Sequence, residues 1–258
     1  MAGPEKPSDD AREPEADFGY RRVPRSERDG LVRDVFDSVA SRYDVMNDLM
    51  SGGVHRLWRN TLMDMAAPRS GSHLLDVAGG TGDIAFRFLD RLDGDGHVTV
   101  CDITASMLDV GRDRALDRGY ARGIDWVCGT AEALPFADMS VDAYTIAFGL
   151  RNVTQRGPAL AEARRVLKPG GRFFCLELSR VAAPLLRAFY DRYSFKVMPL
   201  IGEIVTGDRE AYRYLVESIR KFPPQDALVA EIEAAGLERV AYRNLSGGIA
   251  AIHSAWRL

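Results

Sequence analysis

The residues best suited to chemistry lie in the run Asp76-Val77-Ala78-Gly79-Gly80-Thr81-Gly82-Asp83, between an apolar stretch and a helix-like one. Glycines there let the backbone turn sharply and let a ligand approach the main chain. Asp102 stands twenty residues past Gly82, at the end of the next apolar stretch. A carboxylate so placed can accept both hydroxyls of an adenosine ribose. Asp76, Gly79, Thr81 and Asp102 are therefore candidate cofactor-binding residues. The turn alone does not choose the cofactor, because Gly80, Gly82 and Ala85 also satisfy the dinucleotide pattern G-x-G-x-x-A.

These residues need a scaffold, and the surrounding pattern supplies one. HLLDVA (73–78), HVTVCD (97–102), IDWVCG (124–129), DAYTIAF (142–148) and GGRFFCLEL (170–178) read as strands, separated by helical stretches near 83–91, 105–118 and 157–167. Alternation of this kind predicts a parallel, doubly wound sheet with helices on both faces. After a helix near 225–235, LERVAYRNL and GIAAIHSAWRL flank Ser246-Gly247-Gly248, and so short a turn allows only antiparallel pairing. Five parallel strands plus a C-terminal antiparallel hairpin make a seven-stranded α/β sheet, the Rossmann-like order expected of class I methyltransferases. That ending favours S-adenosylmethionine (SAM) over a dinucleotide. So does Asp83, which would repel a pyrophosphate at the start of its helix. No tyrosine has a lysine four residues later, as a short-chain dehydrogenase would need.

Upstream, residues 1–26 carry four prolines, mixed charges and few large apolar groups, which predicts a disordered tail. Residues 27–70 read as a helical cap: Val32, Val35, Phe36, Val39, Ala40 and Tyr43 keep helical spacing, and a second helix runs from His55 to about Ala67. Residues 71–258 form the catalytic domain, with a helical apolar insert at about 184–222.

Composition narrows the function. A formal net charge of −3 offers no global attraction to nucleic acid. Cys101, Cys128 and Cys175 show no metal-like spacing and read as buried free thiols of a reducing cytosol. No run of 18 apolar residues is present, and the first residues lack the apolar core of a signal peptide. No metal site is expected.

Three further motifs are more specific than the fold. Val35-Phe36-Asp37-Ser38-Val39-Ala40 with Arg42-Tyr43-Asp44-Val45-Met46-Asn47-Asp48 and Ser51-Gly52-Gly53-Val54-His55-Arg56-Leu57-Trp58-Arg59 is the first. Ala147-Phe148-Gly149-Leu150-Arg151-Asn152-Val153 is the second, and Asp208-Arg209-Glu210-Ala211-Tyr212-Arg213-Tyr214-Leu215-Val216-Glu217-Ser218-Ile219 the third. In this order they resemble the signatures of the UbiE/MenG family of ubiquinone and menaquinone biosynthesis C-methyltransferases, over about Arg33 to Leu258. Many relatives have serine where Ala147 stands.

The resemblance implies methyl transfer from SAM to a ring carbon of a polyprenylated benzoquinol, demethylmenaquinol or both. Alignment of carbon, methyl and sulfur can supply roughly 7–11 kcal/mol of such a barrier. It implies adenine contacts at Thr130 and Ala131, where Thr130 could equally be an ordinary loop residue. Arg151 could stabilise a developing phenolate or simply pair with a loop carboxylate. Tyr43 could touch SAM or the quinol hydroxyl, or pack in the core, and His55 could be a base or only a helix start. The apolar insert could line a prenyl channel, which would place the enzyme in the cytoplasm at the inner membrane face. Partners could include other quinone biosynthetic enzymes or a second copy of the chain. A methyltransferase of another small molecule, or a SAM-binding subunit of a quinone biosynthetic complex, is the alternative reading.

Overall fold

The computed structural model describes residues 13–40, 47–48, 51–180 and 209–258. Within the expected tail, the described part is ordered. Strands β1 (Glu15–Phe18) and β2 (Arg21–Pro24) pair antiparallel, with Glu15 opposite Pro24. Gly19 takes the positive φ of 58° that the tight turn needs. What offsets the ordering entropy is a distant partner: Phe18 stacks on Tyr214 with ring centroids 4.3 Å apart. Composition could not reveal that contact.

The helix α1 (Arg25–Val39) starts directly after Pro24, and α2 (His55–Ala66) follows the Gly52-Gly53 break. The end of α2 is tied to the sheet by Arg172, which donates to the carbonyls of Ala66 (3.0 Å) and Met65 (2.8 Å).

The remaining elements keep the predicted order. They are β3 (His73–Val77), α3 (Asp83–Asp90), β4 (His97–Asp102), α4 (Ala105–Asp117), β5 (Ile124–Cys128) and β6 (Val141–Ala147). After them come α5 (Arg156–Val166), β7 (Leu167–Leu178), α6 (Arg209–Lys221), α7 (Gln225–Ala234), β8 (Glu238–Leu245) and β9 (Ala250–Trp256). The seven-stranded sheet runs β5-β4-β3-β6-β7-β9-β8. Strands β3 to β7 pair in parallel, and β9 pairs antiparallel with both β7 and β8. Strand β7 starts three residues earlier than its apolar run suggests, because Leu167 pairs with Val141 before a register shift. Much of the apolar insert lies outside the described residues; its end forms α6.

Side chains alternate across this sheet, as strand geometry requires. Leu74, Val98, Val100 and Phe174 point to one face and pack with Trp58, Leu62, Phe88 and Leu215. Leu75, Cys101, Tyr144 and Phe173 point to the other, against Leu160, Ala163, Leu228 and Ile232. Strands buried on both faces explain the near-continuous apolar runs. Of the three thiols, Cys101 and Cys175 are buried but Cys128 is exposed, which corrects the expectation of three buried ones. It is the last residue of β5, where the strand leaves the sheet, and its Sγ donates to the Ile103 carbonyl at 3.7 Å.

Candidate active site

Strands β3 to β6 end on one edge of the sheet, where loops must leave and main-chain groups become available to a ligand. A cleft sits there, enclosing about 700 Å³ with its solvent-open mouth included. One half is built from Gly80, Asp102, Thr104, Met107, Thr130 and Ala131; the other from Phe148, Gly149, Asn152 and Thr154, with Asp29, Val32 and Phe36 of α1 as cover.

The Asp102 carboxylate is clamped by backbone donors: Oδ2 accepts from Gly80 N and Oδ1 from Thr104 N, each at 2.9 Å. Burial pushes its carboxyl pKa up, and those two N–H groups oppose the shift. Below the turn, Asp76 is 1% exposed and accepts a 2.7 Å hydrogen bond from Thr145 Oγ1. Its Oδ2 has no hydrogen-bond partner among the described residues. Burial raises its pKa to about 7.

Two glycines are demanded by close approach. A Cβ on Gly79 would lie 2.7 Å from Asp76 Oδ2 and 2.8 Å from Val100 Cγ1. One on Gly149 would lie 2.4 Å from the Ala78 Cβ, so the loops after β3 and β6 touch. Ala78 and Phe148 both take positive φ beside this contact, at 49° and 60°, a conformation that strains residues with a Cβ.

Of the predicted cofactor residues, Asp102, Thr130 and Ala131 line the cleft. Asp76, Gly79 and Thr81 form the layer beneath, where Thr81 Oγ1 accepts from Arg114 at 3.0 Å, and Gly80 is the turn residue at the cleft wall.

Arg151 is not at that wall. Its Nη1 pairs with Glu177 Oε2 at 2.8 Å and donates to Phe148 O at 2.6 Å, and its side chain borders a second, polar cavity on the far side of the loop. The ion-pair alternative is thus what the geometry shows, while the neighbouring Asn152 faces the cleft. His55 does not line the cleft either. Its Nε2 bonds Asp48 Oδ1 at 2.9 Å and its Nδ1 contacts Arg59, which pairs with Asp83 at 3.0 Å. Burial, and then Arg59, lower the His55 pKa, so the ring is a neutral link in a charged chain under the turn. Tyr43 lies outside the described residues.

Sequence reasoning assigned no role to Glu177, Tyr214 or Asn152. Glu177 had a visible signal, since a lone carboxylate in an apolar strand requires a buried partner.

The sequence model of the ubiE/COQ5 methyltransferase family fits residues 23–257. The chain belongs to that family.

Among curated ubiE/COQ5-type relatives, the Paracoccus denitrificans protein named "Ubiquinone/menaquinone biosynthesis C-methyltransferase UbiE" is 62% identical, over 95% of this chain and 97% of that one. A Brucella anthropi protein of the same name is 57% identical, over 95% and 94%. Solved structures share the fold at lower identity. A SAM-dependent methyltransferase from Thermotoga maritima has a TM-score of 0.62 at 19% identity, covering 88% of this chain and all of that one (100%). The [4+2]-cyclase SpnF scores 0.64 at 19%, covering 88% and 94%. A cyclase on this fold shows why the chemistry must come from family and site rather than architecture. This ubiE/COQ5 chain is a SAM-dependent methyltransferase with a class I Rossmann-like sheet, and its cleft fits the donor. Asp102 at the cleft edge could hold a ribose, and Gly80 and Gly149 form part of the wall.

Proposed function

We propose that this enzyme methylates a ring carbon of a polyprenylated benzoquinol such as 2-methoxy-6-polyprenyl-1,4-benzoquinol, of demethylmenaquinol, or of both, in quinone biosynthesis. The observation that carries this is near-full-length identity of 57–62% to proteins named for that reaction. The bound donor would supply an activated methyl on sulfonium, so that transfer forms one carbon–carbon bond, leaves a thioether and releases one ring proton to water.

The chain's own residues have three tasks. Asp102 would hold the ribose hydroxyls, Thr130 and Ala131 the adenine edge, and Gly79, Thr81 and Asp76 would keep the turn in place from below. Val32 and Phe36 exclude water above the reacting centre, which strengthens electrostatic interactions inside. The loop 148–154, braced by the Arg151–Glu177 pair, presents Asn152 to the substrate half. This makes Arg151 a positioning residue in our reading, with Tyr43 an additional substrate contact.

No described helix is long and apolar enough to cross a membrane. For a polyprenyl substrate we propose reversible attachment to the cytoplasmic face of the inner membrane through the apolar residues of 184–222. Flotation with lipid vesicles, with and without a prenylated quinol, tests that part; protein unbound in both mixtures would refute it.

The reaction is tested with methyl-labelled SAM and short-chain demethylated quinols. Carbon-bound label in the isolated product is expected. Oxygen-bound label, or turnover only with unrelated small molecules, would overturn the proposal.

A further inference from the structure

Asn152 lines the cleft, and its neighbours Arg151, Val153 and Thr154 border the polar cavity that Tyr214 also borders. Every group of its backbone is fixed. Its N donates to Gly149 O at 2.9 Å, and its O accepts from Arg28 Nη1 at 2.6 Å. Arg28 is buried and holds the hairpin as well, through Asp17 O, and Thr154 Oγ1 at 2.8 Å.

The carboxamide still has a choice, because its two ends are nearly the same shape and opposite in hydrogen bonding. Oδ1 toward the cleft would accept a hydrogen bond from a phenol and favour the neutral form. Nδ2 toward the cleft would donate and favour the phenolate. In the structure the Tyr214 hydroxyl donates to Asn152 Oδ1 at 3.1 Å, and Tyr214 borders the polar cavity rather than the cleft. Nδ2 has no partner among the described residues, which leaves both its hydrogens for a ligand.

Tyr214 is well placed to hold that role. Its side chain is 4% exposed and its ring is stacked on Phe18. Burial raises its phenol pKa, so the hydroxyl keeps its proton and stays a donor at any pH at which the enzyme works. The charges of Arg28, Arg151 and Glu177 also act on it.

We propose that Tyr214 is a positioning residue for methyl transfer: by donating to Asn152 Oδ1 it keeps the Nδ2 donor turned to the cleft, where it stabilises the ionising oxygen of the aromatic substrate. The proposal rests on the quinol reading above. An interaction that strengthens as charge develops lowers the barrier rather than only tightening binding.

The test is Tyr214→Phe, which removes one oxygen and keeps the ring stack, beside Asn152→Ala and the double variant. SAM affinity and KM for a short-chain quinol should stay within about threefold of wild type, while kcat falls about tenfold, the cost of roughly one neutral hydrogen bond. The rising limb of the kcat–pH profile should move to higher pH, because the bound phenol becomes harder to ionise. The double variant should be no slower than Asn152→Ala, since Tyr214 acts through that amide. Asn152→Asp, which offers only acceptors, should be slower than Asn152→Ala, and this arm stands even if Tyr214→Phe folds poorly. An unmoved pH profile, additive losses in the double variant, or Asn152→Asp as fast as Asn152→Ala would each overturn the proposal. A wild-type enzyme inactive on quinols would fail the functional reading first, and that result is distinct from a wild-type-like Tyr214→Phe.

Discussion

Arg151 and Glu177 form an ion pair shielded from water, 2.8 Å between Nη1 and Oε2, and Glu177 Oε1 also accepts from the Arg151 backbone N at 3.1 Å. The loop after β6 is thereby stitched to β7, the neighbouring strand. The same carboxylate thus fixes both the side chain and the main chain of Arg151, one residue before the one that faces the cleft.

Breaking this pair from either side should destabilise the fold. Arg151→Ala leaves a buried anion and Glu177→Gln a buried cation, each expected to cost about 3–5 kcal/mol. The double replacement Arg151→Met with Glu177→Leu should be more stable than either single variant, because no charge stays uncompensated. Urea unfolding of the three proteins is the measurement. Single variants within 1 kcal/mol of wild type, on the order of a surface pair, would mean the pair is open to water in solution.

Asp102→Ala should weaken SAM binding by about 1.5–3 kcal/mol, the usual worth of hydrogen bonds to a charged group. Two losses combine: the ribose acceptor disappears, and the N–H groups of Gly80 and Thr104 lose the carboxylate that aims the turn. Isothermal calorimetry measures it directly. Unchanged affinity would take Asp102 out of the binding site.

Asp76 should make the apo protein's stability depend on pH in a definite direction. Its folded pKa is raised from 3.8 to about 7, so the folded state holds this proton more tightly than the unfolded chain. The stability it contributes is fully present below the unfolded value and is lost as pH rises through about 7. Asn cannot ionise and keeps an acceptor for Thr145. Relative to wild type, Asp76→Asn should therefore be near neutral at acid pH and gain stability at alkaline pH, by on the order of 4 kcal/mol for a shift of this size. Urea titrations of both proteins at pH 4 and pH 8 compare the two regimes. A stability difference that does not change with pH would show that Asp76 ionises normally. The buried His55 and His253 and the half-buried His73, all with lowered pKa, act the other way in both proteins: stability falls as pH drops through about 6.5 and the unfolded chain takes up protons. They cancel in the comparison.

The sequence by itself determined the strands of the sheet, their succession along the chain and three residues that line the cleft, Asp102, Thr130 and Ala131. Those features are local: strands buried on both faces are continuous apolar runs, and the Gly79–Gly82 turn and Asp102 sit at the ends of such runs, where any parallel sheet must release its loops. The motifs around Phe36, Arg151 and Tyr214 named the family for a similar reason, being contiguous in the chain. Tertiary structure alone decided which residues of the substrate half do what. Whether Arg151 or Asn152 faces the cleft depends on Glu177, 26 residues away, and the sense of the Asn152 amide depends on Tyr214, 62 residues away. The order of residues 13–24 likewise depends on Phe18 finding that same tyrosine. Spacing along a chain sets which face of a strand or helix a side chain takes, whereas a polar group's role is set by the partner it meets. For these residues the partner comes from an element that only the folded sheet brings near.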